Sequence, residues 1–260
     1  MTSIVLGFAM MGSLFFLVQF LQNVQGYTAF ETGLRTLPTS VSMFVVAPFV
    51  GRLMARIGPR PLILLGALFA ATSLFWIAAT LQPDASYALL WWQIALFGIG
   101  CGFMMTPLTA AVLAATPQER SGLGSSLLNT SRQVGITLGV AVLGAIVSQQ
   151  FPENIAAQLT QHGLPTSTSA TMAKQLAAGH QAFQAGHLFP ATVLHHLIGQ
   201  AFVDALRATF FISAIGLLVS AVLVVFFLRR AQPARVEVPV LYEAPAAHIP
   251  QAGIGVEVIE

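Results

Sequence analysis

Pro61-Leu-Ile-Leu-Leu-Gly-Ala-Leu-Phe-Ala-Ala-Thr-Ser-Leu-Phe-Trp-Ile-Ala-Ala-Thr-Leu81 runs for 21 residues without a charge. As a helix, at 1.5 Å per residue, it is ~31 Å long, the thickness of a bilayer's hydrocarbon core. Working outward, further long apolar stretches cover residues 4–24, 33–54, 87–114, 124–148 and 207–230, making six spans with 61–81. The span around Pro38 has a short charge-free core between Arg35 and Arg52, so it is expected to begin before Pro38 and to tilt or kink there. The spans show no period-2 alternation, which excludes a β-barrel. The fold class is therefore an all-α membrane protein.

Composition agrees. Of 260 residues, 56% are hydrophobic and 8% charged, with a mean hydropathy of +0.79. A soluble domain carries about 25% charged residues, so this chain cannot clothe its surface in charge. A cytosolic enzyme is excluded, as is a disulfide scaffold, because Cys101 is the only cysteine. The eleven Lys and Arg are scattered, which argues against nucleic acid as a partner. The lipid bilayer is the partner that composition requires.

The basic residues set an orientation. Arg52, Arg56, Arg60, Arg120, Arg229, Arg230 and Arg235 share one side if both termini are cytoplasmic, leaving Arg35, Lys174 and Arg207 opposite. Residues 149–206 then form a long external loop, polar and nearly uncharged, with short helices expected at 154–162 and 170–185 and helix again over 193–207. Residues 231–260, with four prolines and no apolar period, read as a disordered cytoplasmic tail. No secretory signal precedes the first span, which starts almost at Met1, and this suggests a piece of something longer.

Ionisable groups within spans are functional candidates, because burying them is costly. No Asp or Glu falls in the middle of any span, so a titrating carboxylate for proton coupling must come from elsewhere. Arg132 is the exception among the charges, about 15 Å along its helix from Gly122. It either snorkels back toward the near side or faces the bundle and pairs with an anionic group. Gln19, Gln22 and Asn23 share one face of the first span, Gln93 lies on the fourth, and Asn129 and Gln133 flank Arg132 on the fifth. Helix–helix hydrogen bonding and a water-filled substrate cavity both account for these amides. Gly98, Gly100 and Gly102 and the set Gly135, Gly139 and Gly144 permit close backbone approach. Pro107 bends the fourth span, either as a static kink or as a point of flexure. The six histidines lie outside the spans and no metal site is expected. Nucleophile-elbow, phosphate-loop and HExxH signatures are missing, so the chain does not read as an enzyme.

The run Gly51-Arg-Leu-Met-Ala-Arg-Ile-Gly-Pro-Arg60 resembles the loop motif of the major facilitator superfamily, GxLaDrxGrkxxl, through Gly51, Leu53, Arg56, Gly58 and Arg60. Ala55 stands at the family's acidic position, so the motif's charge relay is incomplete. The stretches 21–38, 98–107, 120–135 and 201–207 are similar to the EmrB/QacA-type drug:proton antiporters, the fourteen-helix branch. The resemblance covers the C-terminal six-helix half, the C-terminal bundle of a major facilitator fold. It implies alternating access between two six-helix bundles, with drug exit exchanged for proton entry. It also implies a bacterial inner membrane, a small-molecule substrate, the proton gradient as energy source with no cofactor, and Gly51, Arg52, Arg56, Gly58 and Arg60 as a gating loop. The N-terminal half is missing, so this chain alone is not expected to transport. Two other readings stay open: export of a siderophore, sugar or amino acid, and a non-transporting assembly or sensor subunit whose 149–206 loop contacts a periplasmic adaptor.

Overall fold

The structure is a computed structural model that describes residues 2–117, 120–161, 164–177 and 191–228. The described residues form helices and no strand: α1 (Thr2–Asn23), α2 (Ala29–Ile57), α3 (Pro59–Thr80), α4 (Tyr87–Ala114), α5 (Ser121–Gln161), α6 (Thr166–Ala177) and α7 (Ala191–Leu228). Six of them, all but α6, are long and apolar enough to cross a membrane, which bears out the six-span count. The expected tail at 231–260 and the end of the helix expected at 170–185 lie outside the described residues.

Local chemistry fixes the helix ends. Thr28 and Glu31 form a capping box: the Thr28 amide donates to Glu31 Oε2 at 2.9 Å and the Glu31 amide to Thr28 Oγ1 at 3.3 Å. That box starts α2 at Ala29, ahead of the span expected from residue 33. Gly58 adopts φ 80°, its amide donates to Met54 O at 2.9 Å, and Pro59 opens α3 at once. Ser86 caps α4 by accepting from the Ala88 amide.

The core lies among α1, α3, α4 and α7, around Phe20, Leu74, Ile77, Ile94 and Phe210. Glycines bring the backbones together. Side chains at Gly135 and Gly139 of α5 would strike the backbones of Ile4 and Phe8 on α1. On α4, Gly98 abuts Thr39 of α2 and Gly100 abuts Gly66 and Ala70 of α3. Gly144 is different: its nearest neighbour is Phe16 Cζ at 3.9 Å.

The described residues of the expected loop 149–206 are almost all helical. α5 continues unbroken through Pro152 to Gln161, and α7 begins at Ala191. At 1.5 Å per residue these helices are ~61 and ~57 Å long, far beyond a ~30 Å hydrocarbon core. Their overhanging ends and α6 bury a second small core of Ile155, Leu159, Ala173, Leu197 and Ala201. Phe151, Ile155 and Leu159 recur every four residues, so the apolar stripe carries α5 past the proline. Asn154 Nδ2 also donates to Ala201 O at 3.2 Å. This cap, with the α1–α2 and α3–α4 turns, marks one end of the bundle. The opposite end carries Arg52, Arg56, Arg60 and Arg120.

Candidate transport face

Most of the exterior suits hydrocarbon. α2 exposes Leu37, Val41, Phe44 and Phe49, and α3 and α7 expose Leu68, Phe75, Ile215 and Val222. α5 departs from this pattern. Ser126, Asn129, Thr130, Gln133 and Thr137 are all exposed and follow one another at helical spacing, so they make a polar stripe through a spanning helix. The Ser126 and Thr137 hydroxyls donate to Leu123 O and Gln133 O of their own helix, but hydrocarbon offers no partner to the Asn129 and Gln133 amide N–H groups, and the stripe therefore faces water or another polar helix.

Arg132 stands beside the stripe, half-buried, about 16 Å from the start of α5. Its Nη2 donates to Asn129 Oδ1 at 2.9 Å and its Nη1 lies 3.9 Å from Met105 Sδ on α4. Its backbone carbonyl abuts Gly7 of α1. Among the described residues no carboxylate makes an ion pair with it. The group can hold an acidic partner arriving from outside this bundle.

The other sequence candidates do not converge on Arg132. Gly7 lies against Arg132, and Gln19 is twelve residues or about 18 Å further along α1. Gln19, Gln22 and Asn23 thus reach solvent-accessible surface at the cap end. Gln93 faces neither: it is 1% exposed in the α3–α4 seam, where Nε2 donates to Thr80 Oγ1 at 3.0 Å, and the Ser73 hydroxyl donates to its carbonyl at 2.6 Å. Pro107 is buried in a helix that stays continuous from Tyr87 to Ala114. Gly51, Arg52 and Arg56 belong to the last turns of α2, so Gly58 alone forms the turn, with Arg60 already in α3. Arg56, exposed in the last turn of α2, complements the negative end of its dipole, and Arg52 is exposed one turn earlier.

One cluster escaped the sequence reading. Arg35 sits with its guanidinium 3.5 Å from the Tyr27 ring centroid and 5.5 Å from that of Tyr87, while the Tyr87 hydroxyl donates to Arg35 O at 3.1 Å. This stack ties the cap ends of α1, α2 and α4 together. Two tyrosines and an arginine at successive helix ends were the available signal. The described carboxylates Glu31, Asp84, Glu153 and Asp204 all lie toward that same end, opposite Arg52, Arg56, Arg60 and Arg120.

Six apolar helices with one polar exterior stripe define a multi-pass membrane protein. Its family is settled by comparison: residues 1–140 match the pattern of the Major Facilitator Superfamily, and the chain belongs to it. It is 39% identical over 141 residues to the Multidrug resistance protein Stp of Mycobacterium tuberculosis, covering 54% of this chain and 26% of that one. It is 29% identical over 238 residues to the Tetracenomycin C resistance and export protein of Streptomyces glaucescens, covering 88% and 43%. With the Multidrug export protein EmrB of Escherichia coli it shares 30% over 161 residues, covering 61% and 31%. The chain therefore spans less than half the length of each of these relatives.

Proposed function

We propose that this chain is the C-terminal six-helix half of an efflux transporter that exports drugs or other amphipathic compounds in exchange for protons. The basic end faces the cytoplasm of a bacterial inner membrane and the cap faces outward, as the positive-inside rule favours. The observation that carries the reading is the polar stripe of α5, Ser126 to Thr137, through a helix that spans the membrane. The stripe and Arg132 meet the second half across a water-filled cavity, and the two halves rock about it. The described carboxylates Glu31, Asp84, Glu153 and Asp204 lie toward the cap end and none is in the middle of a span, so the proton-carrying group comes from the other half. The relatives' names, which speak of multidrug resistance, multidrug export and tetracenomycin C resistance and export, support the substrate class.

The test is drug susceptibility in an efflux-deficient bacterium, with the chain expressed alone and with an upstream half restored. Resistance only with the restored half is expected, and Arg132→Ala should abolish it while Arg132→Lys retains part. Resistance from the chain alone overturns the half-carrier reading. Membrane expression without resistance in either form overturns the drug reading.

A further inference from the structure

On the side of the bundle formed by α3 and α7, away from the α5 stripe, lies an apolar groove of about 430 Å³. Leu68, Phe75, Trp76 and Ala79 line it from α3, and Ile215 and Leu218 from α7. One feature sets it apart from an ordinary lipid-facing seam. Ala214 and Leu218 of the groove share an α7 face with Phe211 and Arg207 at three- and four-residue spacing, so that face leads from the groove toward an ion pair. Arg207 Nη1 donates to Asp204 Oδ1 at 3.0 Å, and Nη2 donates to Leu81 O at the end of α3, at 2.7 Å. Just beyond the pair, toward the groove, Phe75 and Phe211 stack edge to face at 4.8 Å.

The depth is informative. From Arg207 to Leu218 is eleven residues, about 16 Å, half of a ~30 Å hydrocarbon core. α3 ends at the same level, since Leu81 accepts from Arg207. Arg207 and Asp204 are therefore at headgroup height, and the groove below them has the reach of one leaflet. Both side chains keep exposure, 36% and 42%. His196 Nε2 and Asp84 Oδ2, 3.9 Å apart, stand further out along the cap.

We propose that this groove binds one phospholipid of the cap-side leaflet, with an acyl chain between α3 and α7 and a zwitterionic headgroup on the Arg207–Asp204 pair. The phosphate accepts from the η N–H groups of Arg207 that Asp204 and Leu81 O leave free, with Nε buried. The headgroup's primary ammonium donates to Asp204. A plus–minus pair on the protein meets a minus–plus pair on the lipid, which selects an ethanolamine headgroup. Phosphatidylglycerol brings no cation to Asp204, and the choline group of phosphatidylcholine has no N–H to donate.

The experiment is native mass spectrometry of the purified chain titrated with phosphatidylethanolamine, phosphatidylcholine and phosphatidylglycerol of matched acyl chains. The ethanolamine lipid is expected to bind about tenfold more tightly than either of the others, the worth of one charge-assisted hydrogen bond. Asp204→Asn should erase that preference. Ala79→Phe, at an exposed groove position, should fill the groove and lower binding of all three lipids. Arg207→Gln should weaken binding too. Because Arg207 also holds Leu81 O, the two milder variants decide the matter if that protein does not fold. Equal binding of the three lipids overturns the headgroup assignment, and unchanged binding in Ala79→Phe overturns the site.

Discussion

α2 and α5 are the least covered spanning helices of the bundle, and they differ in what they expose. α2 presents Leu37, Val41, Phe44 and Phe49. α5 presents Ser126, Asn129, Thr130, Gln133 and Thr137 beside an apolar strip of Leu123, Leu127, Val134 and Leu138. Exposure alone therefore says nothing about function in a membrane protein, since in lipid the apolar face is the solvated one. The chemistry of the exposed face identifies its neighbour: hydrocarbon accepts α2's side chains, while α5's amides require water or a polar surface.

The largest test of this contrast places the same charge on both faces. Phe44→Lys is expected to cost about 3 kcal/mol, because its ammonium points into hydrocarbon at mid-helix. Thr137→Lys in the assembled transporter is expected to cost well under half of that. Folded membrane yield and thermal unfolding in nanodiscs measure both, and equal losses break the comparison. Next, Gly135→Leu should destabilise by about 2 kcal/mol, since the added side chain strikes the Ile4 backbone and cannot be accommodated by a rotamer change. Gly144→Leu, where Phe16 is 3.9 Å away, serves as the mild control on the same helix. Arg35→Ala should lower the unfolding midpoint, losing about 1 kcal/mol of stacking on Tyr27. The smallest effect has the opposite sign. Gly33→Ala on α2 meets open space and should stabilise by about 0.5–1 kcal/mol, whereas Gly135→Ala destabilises.

The spans were legible because charge-free length is a one-dimensional property. A run such as 61–81 needs no partner to be recognised. The family pattern was equally legible in Gly51 to Arg60. What sequence concealed was orientation about each helix axis. Gln93 and Gln133 are the same residue type on neighbouring spans, yet one is sealed against Thr80 and the other is exposed. Packing decides that difference, and packing depends on helices distant in sequence. The Thr28–Glu31 box was readable but lay among charges that a hydropathy count passes over. Past residue 148 the helix runs on through Pro152 because Phe151, Ile155 and Leu159 have a surface to bury against, which a hydropathy count does not show.

The shared core of the cap has a mechanical consequence. Ile155 and Leu159 on α5 are packed with Leu197 and Ala201 on α7, and Asn154 adds a hydrogen bond across. The two longest helices are thus riveted beyond the bilayer, as scissor blades are at their pivot. Any change of angle between them must open widest at the far tip, among the arginines, and leave the cap nearly still.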